Sequence, residues 1–433
     1  MPARHPRMRP HLVFAGGKGA ILDYSGMSMA GSAGGEFYAP EPEELIALPE
    51  GSELFALPGR MPVGVEPDTG DFALLAENPY RQGEPVQAVA AFMAPAHTAL
   101  YTTAFVKREP ARQAPLLPLF AYTAVGWAEG RFWVAALRSD ADIRQDLCQF
   151  DFAALERRTR KRLQACRQNR LVQHLGICCL SYGCPAARNY FLDRWEAPLP
   201  CSPACNASCA GCISFQPEGT CSATQDRLSF VPTPQEIAEV AGPHLARAER
   251  GIASFGQGCE GEPLLQARVI EAAIRLIRAH TGRGTINLNT NGSLPEAVER
   301  LAAAGLDSIR LSMNSAQADW HRRYYRPKGF SLSDVCASLD IMKKAGRHVS
   351  LNYFILPGCT DDPAEFDALA TLIERHRPDL IQLRNLNMDP DWYREVIAFQ
   401  AAGQPMGMRR WLSALKRRFP WLKFGYYNPP VRG

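Results

Sequence analysis

Three cysteines in one short loop are the part of this sequence best suited to chemistry. Residues 200–219 read PCSPACNASCAGCISFQPEG, and Cys205, Cys209 and Cys212 follow a C-x3-C-x2-C spacing. Pro203, Asn206, Ser208 and Gly211 are turn formers, so the segment is a loop after a short apolar run. Thiolates on a short flexible loop are the ligands of iron–sulfur cubanes. A cubane has four irons, so three thiolates leave one iron open to a reactant, much as a catalytic zinc keeps one position free. A closed site is the alternative. Cys201 lies four residues before Cys205, and four cysteines would complete a structural zinc site or a fully ligated cluster. Structural zinc sites use two separated ligand pairs rather than one run, which favours the open site.

Other polar groups gather at the ends of apolar runs, where a buried strand would otherwise stay apolar. Residues 252–265 read IASFGQGCEGEPLL and contain Gly261-Glu262-Pro263; taken alone, that triplet is a common helix start, with Pro at N1 and an acidic first turn. Residues 285–292 read TINLNTNG, whose Asn-Gly is by itself a turn signal. Residues 308–315 read SIRLSMNS, and alternation puts Ser312 and Asn314 on one strand face. Asn352 and Tyr353 lie in LNYFILPG, and Arg384, Asn385 and Asn387 follow the next run. Cys178, Cys179 and Cys184 lie in HLGICCLSYGC, with Cys221 and Cys259 farther on. They are either ligands of an auxiliary cluster or buried structural cysteines, and free cysteine is often buried.

The elements that must hold these groups alternate. Strand-like runs at Ile252–Phe255, Thr285–Asn289, Ser308–Ser312, Val349–Phe354 and Leu380–Arg384 are interleaved with helical ones at Pro234–Ala248, Leu264–His280, Leu294–Ala304, Leu332–Ala345 and Pro363–His376. Gly305 and Gly346 sit where helices should stop. With a short strand before Cys201, this makes six βα units around a parallel sheet, either a partial barrel or an open doubly wound sheet. Upstream, to about residue 140, short apolar runs such as Val89–Met93, Leu117–Tyr122 and Arg131–Ala136 between turn residues read as mainly β. Gly16-Gly17-Lys18-Gly19 lacks the rest of a phosphate loop and reads as a tight turn. From Asp151 to Tyr190 the pattern is helical, with Leu155, Leu163, Cys166, Leu171 and Leu175 as core positions. The expected organisation is an N-terminal mainly β domain with a helical connector over 1–190, an α/β core over 191–400, and a C-terminal tail over 401–433 with one amphipathic helix and a strand-like run, Lys423–Asn428.

Composition narrows the class. Across 433 residues, 46% hydrophobic and 21% charged content suits packed domains rather than disorder, and the length suits two or three of them. A net charge of +4 is too weak to argue for nucleic acid or an anionic membrane, and the basic run from Arg157 to Arg162 reads as a solvated helix face. No segment approaches the ~20 apolar residues of a membrane span. Met1–Pro10 is basic but is followed by no apolar region of signal-peptide length, so the expected location is cytoplasmic. In a reducing compartment the 13 cysteines are metal ligands or buried apolar residues rather than disulfides.

A C-x3-C-x2-C loop just after the first strand of a βα fold resembles the radical S-adenosylmethionine (SAM) superfamily. The resemblance covers about residues 195–395 and implies a partial (βα)6 TIM-like barrel. It implies that Cys205, Cys209 and Cys212 ligate a 4Fe–4S cluster whose open iron chelates the amino and carboxylate groups of SAM. Reductive cleavage would then give methionine and a 5′-deoxyadenosyl radical that abstracts hydrogen, the hard chemistry being the cofactor's. Gly261 and Glu262 match a motif that binds the methionyl amine, although Glu260 stands where the family has its first Gly. Thr290 and Asn291 would face the cofactor, and Ser312 and Asn314 would bind the ribose. Gly211 replaces a usual aromatic residue, so the cluster should be less shielded there. The implied partners are SAM, an electron donor such as flavodoxin or ferredoxin, and a substrate the resemblance does not name. No cysteine follows Cys359, which speaks against the C-terminal auxiliary-cluster extensions of many peptide-modifying relatives. Two rival functions stay open: an activase that makes a glycyl radical on a partner protein, and a non-enzymatic zinc or iron–sulfur structural or electron-transfer protein.

Overall fold

The structure, a computed structural model, describes residues 9–108 and 114–432. The basic run Met1–Pro10 therefore lies outside the described residues except for its last two positions.

The first part of the chain is β, as its spaced apolar runs predict. The strand His11–Ala15 pairs antiparallel with Ile21–Met29, Gln87–Phe92 and Val125–Ala128, so it is surrounded and buried on both faces. Arg131–Arg138 extends the same sheet through Val125–Ala128. Gly16–Gly19 is a turn, with the Gly16 N–H donating to the Ala20 carbonyl at 2.9 Å. The run Leu117–Tyr122 differs from expectation: Leu117, Leu119, Ala121 and Tyr122 are buried, but it forms no strand. Pro115 and Pro118 lack the N–H groups that a ladder needs.

Helices α1 (Phe152–Ala165), α2 (Arg170–Leu180) and α3 (Pro185–Phe191) follow. The Asp151 and Asn169 side chains cap the first two by accepting from Ala154 N and Val172 N. Their buried residues Leu155, Leu171 and Leu175 join the apolar core of the downstream domain, with Ile237, Phe255 and Ile274. Leu163 and Cys166 are only partly buried against it.

That domain is a seven-stranded parallel sheet in unbroken chain order: Glu196–Leu199, Ile252–Phe255, Thr285–Thr290, Ser308–Met313, His348–Ile355, Leu380–Asn385 and Lys423–Gly425. Because the order never reverses, right-handed crossovers put the covering helices on one face, which curls the sheet into a partial barrel rather than a doubly wound layer. The helices are α4 (Pro234–Arg247), α5 (Ala267–His280), α6 (Pro295–Ala304), α7 (Ala318–Tyr325), α8 (Leu332–Lys344), α9 (Pro363–His376), α10 (Pro390–Ile397) and α11 (Met408–Arg418). A Thr233–Glu236 capping box starts α4, and Gly305 at φ 115° ends α6. Helices α7 and α10 fall where no helix was expected. The seventh strand comes from the expected tail and pairs in register with the sixth, Ile381 opposite Phe424.

The first and seventh strands are the sheet's edges, and residues 426–432 cross the seam between them. Tyr427 packs edge-on against Trp195 with centroids 5.1 Å apart, and Asn428 Nδ2 donates to Glu196 Oε1 at 2.8 Å. Val431 N donates to Thr285 Oγ1 at 2.8 Å. The β domain docks on the sixth strand, next to the seventh. Ala99 N donates to Asn385 Oδ1 (2.9 Å) and Asn385 Nδ2 to the His97 carbonyl (3.0 Å), at the C-terminal end of the sixth strand. A fully buried Arg60–Asp389 ion pair at 2.5 Å secures the same junction. Among the described residues no helix is long and apolar enough to cross a membrane.

Candidate functional site

Parallel strands point their C-terminal ends, and the loops that follow, toward one side of the sheet, which is where such folds carry their sites. There the structure has a cavity of about 490 Å³, within the usual size range of small-molecule sites. Cys205, Cys209 and Cys212 line it together with Gly261, Glu262, Thr290, Asn291 and Ser312.

The cysteine loop is tied to the loop after the second strand through backbone. Gly261 N donates to the Ser202 carbonyl at 2.7 Å and Glu262 N to the Ala204 carbonyl at 2.8 Å. A Cβ at Gly261 would lie 2.0 Å from the Ala204 oxygen, so the approach needs glycine. Glu260, the residue standing in place of a glycine, is a second bracket. Its carboxylate accepts from Cys201 N (2.8 Å), Ser202 N (3.0 Å) and Gln257 N (2.7 Å). Glu262 is equally buried and accepts from Leu264 N (2.9 Å), Asn291 N (2.9 Å) and the Thr290 hydroxyl. Burial pushes both carboxyls up to about 7 despite these donors.

Asn291 lines the cavity, but its side chain reaches the cysteine loop: Nδ2 donates to Asn206 Oδ1 at 2.9 Å. Asn314 is the one expected site residue that the structure keeps off the cavity. It is buried behind the wall and donates to the Trp320 carbonyl (3.3 Å) and the Tyr393 hydroxyl (3.1 Å). The strand ends at Met313, so the period-two alternation that groups Ser312 with Asn314 no longer applies at 314.

Cys201 is fully buried and does not line the cavity. Cys179 sits 3.6 Å from the Thr159 hydroxyl, away from the site, and Cys221 packs in an apolar cluster with Cys209 and Ile213. Cys184 does line the cavity. All thirteen cysteines are free thiols.

Three groups lay outside the sequence reading. Arg227 donates from Nη2 to Cys212 Sγ at 3.4 Å and from Nε to Ser214 Oγ at 3.2 Å, placing a positive charge beside a thiol. Nothing local marks it, fifteen residues past Cys212 in an irregular segment. Tyr324, on α7, brings its hydroxyl to 2.8 Å from where a Gly211 Cβ would be. An aromatic side chain from another element thus stands at Gly211, where the loop itself has none. Its backbone carbonyl also accepts from Ala210 N at 3.0 Å. The third group is Arg310, from the middle of the fourth strand; a charged residue between Ile309 and Leu311 was the available signal. Arg310 and Arg384 both line the cavity, and the Nε of each is buried with no partner among the described residues. Burial first, and the neighbouring Arg384 charge second, push Arg310 down to about 9, with Glu196 opposing.

Residues 199–370 match the sequence model of the radical SAM superfamily. A GTP 3′,8-cyclase of Lactiplantibacillus plantarum is 26% identical over 164 residues, 36% of this chain and 45% of the relative. A probable dual-specificity RNA methyltransferase RlmN of Frankia alni is 30% identical over 232 residues, 49% of this chain and 53% of the relative. The chain thus spans about half the length of these curated relatives. A solved radical SAM methyltransferase from Sphaerobacter thermophilus aligns over 55% of this chain and 68% of its own, at 17% identity and a TM-score of 0.38.

Proposed function

We propose that this chain, whose residues 199–370 match the radical SAM superfamily, is an enzyme that uses a 4Fe–4S cluster and SAM, that Cys205, Cys209 and Cys212 hold the cluster, and that the enzyme abstracts hydrogen from a substrate carrying an anionic group. The observation that carries the ligand assignment is that these three thiols share one cavity with Gly261 and Glu262, while Cys201 is turned away from it. The donor set fits the group: three thiols for a cluster with one open iron, and a buried carboxylate for an ammonium. When bound, cluster and SAM supply a 5′-deoxyadenosyl radical.

The chain's own residues do the rest. Glu262 keeps one carboxylate lone pair beyond its three internal donors, and that is the acceptor for the methionyl ammonium. Thr290 and Asn291 hold Glu262 in place, and Ser312 faces the ribose. Arg227 balances negative charge at Cys212. Tyr324 keeps water from the Gly211 side of the loop. Arg310, which donates to Gln382 Oε1 at 3.3 Å, and Arg384, stacked 3.9 Å over the Tyr426 ring, bring two guanidiniums with spare donors to the cavity, where a buried charge without an anionic partner is costly. A carboxylate or phosphate on the substrate satisfies both. The relatives' names, a cyclase of GTP and a methyltransferase of RNA, involve phosphate-bearing molecules, in keeping with that class. The electron comes from an external donor such as flavodoxin or ferredoxin, in the reducing cytoplasm.

The test is anaerobic incubation of the reconstituted chain with SAM and dithionite, scoring 5′-deoxyadenosine. Formation by the wild type and its loss in the Cys205→Ala/Cys209→Ala/Cys212→Ala variant is the expected result. Undiminished 5′-deoxyadenosine from the triple variant would overturn the assignment.

A further inference from the structure

Outside the cavity, one imidazole and two thiols converge at the junction of α2 with the core. The ligand atoms of His174, Cys178 and Cys259 all lie within 4.8 Å of one another. His174 and Cys178 are four residues apart on α2, hence on one helix face, and Cys259 comes from the loop after the second strand. His174 Nε2 and Cys178 Sγ are 3.5 Å apart. Bonds of about 2.3 Å to sulfur and about 2.0–2.1 Å to nitrogen at a tetrahedral angle put S and N about 3.5 Å apart, and two sulfurs about 3.8 Å apart. The His174–Cys178 pair therefore already has that spacing, and Cys259 Sγ lies within 4.8 Å of both, within reach of a third corner of a single ion's coordination shell. A cubane holds its thiolates on separate irons and farther apart, so the spacing suits one ion rather than a cluster. Two thiols and an imidazole are the ligand chemistry of zinc. Both sulfurs are buried, whereas His174 is half-buried, which leaves a route for the ion from solvent.

We propose that His174, Cys178 and Cys259 bind one zinc ion, with a fourth ligand from solvent, and that this ion fastens α2 to the Gly256–Pro263 loop. The loop's next residues, Glu260 to Glu262, wall the cavity, so the ion fixes the position of that wall from behind. The proposal does not rest on the cluster assignment, because none of its ligands belongs to the Cys205–Cys212 loop.

The experiment measures zinc and iron per chain in the anaerobically reconstituted full-length protein. The wild type should hold about one zinc besides its iron. The Cys205→Ala/Cys209→Ala/Cys212→Ala variant should keep the zinc whatever becomes of the proposed function, and whether it loses the iron tests that function separately. Cys178→Ser/Cys259→Ser should lose the zinc and keep the iron. His174→Gln, at a half-buried position, should lower zinc retention on dialysis. Should the double variant fail to fold, Co²⁺ added to the triple variant decides: a thiolate-to-cobalt charge-transfer band and tetrahedral d–d bands are expected, and both should vanish with His174→Gln. A folded wild type with neither zinc nor a Co²⁺ spectrum overturns the proposal. So does zinc retained by Cys178→Ser/Cys259→Ser, or iron instead of zinc lost from His174→Gln.

Discussion

At the scale of single residues, the cysteines separate by where their sulfurs point. Cys209→Ala should abolish iron and sulfide binding on reconstitution, while Cys201→Ala, a buried thiol off the cavity, should leave both in place. Iron and sulfide per chain read this directly, and equal loss in both variants would favour a closed four-cysteine site. Glu262 makes a sharper case, because it has two jobs. In Glu262→Gln the amide nitrogen cannot accept, so at least one of Leu264 N, Asn291 N or the Thr290 hydroxyl loses its partner. A buried unsatisfied donor costs about 1–3 kcal/mol, which should appear as a lower thermal midpoint. Loss of a charge-assisted bond to the SAM ammonium should cost a further ~1.4 kcal/mol, about tenfold in SAM affinity. A lower midpoint with unchanged affinity would make the carboxylate an internal bracket only. The Gly-Glu-Pro triplet was legible because its residues are adjacent in sequence. Arg227 and Tyr324 were not, because their partners Cys212 and Gly211 are brought to them only by the fold.

Among the elements, legibility followed length and end signals. Helix α9 carries a capping Asp362, Pro363 at its first turn and a long apolar stripe, and it forms over the residues its pattern marks. Helix α7 has eight residues, mostly charged or aromatic, with no side-chain cap, and it reads as loop; yet it brings Tyr324 to the site. The seventh strand was legible as a strand but not as part of the sheet, because three residues say nothing of their partner forty residues upstream. Close approach between loops is the most fragile link at this scale. Gly261→Ala would drive a Cβ to 2.0 Å from the Ala204 carbonyl and separate the cysteine loop from the Glu262 loop. Loss of SAM-dependent 5′-deoxyadenosine with a largely retained circular dichroism spectrum is expected. The barrel-interior arginines predict a charge effect. Arg384→Gln should weaken binding of anionic substrates or competing anions such as phosphate by about tenfold or more, with SAM-only turnover little changed, as measured by protection against thermal unfolding.

For the whole molecule, the two domains meet through backbone as well as side chains. Gly358, at φ 86°, would place a Cβ 1.7 Å from Gly34 N, and Gly34 N donates to the Pro357 carbonyl. Gly358→Ala should therefore loosen the β domain from the core, seen as faster proteolysis between residues 139 and 151 and a lower midpoint. Acid should weaken the core through His244. It is fully buried against the Trp195 carbonyl, and burial pushes it down from 6.5 to about 4. Since the unfolded chain takes up this proton at higher pH than the folded one, the stability is intact above pH 6.5 and is lost as pH falls toward 4. The loss reaches roughly 3 kcal/mol. Denaturant midpoints across that range should fall less steeply in His244→Gln, which keeps a donor for the Trp195 carbonyl; an unchanged slope would show that other groups govern the acid limb. The crossing of the seam by residues 426–432 has a consequence in time. A ribosome delivers Cys212 more than two hundred residues before Asn428. Throughout that elongation the thiols face a vessel with one stave missing, and the pocket gains that wall only once residues 426–432 have been synthesised.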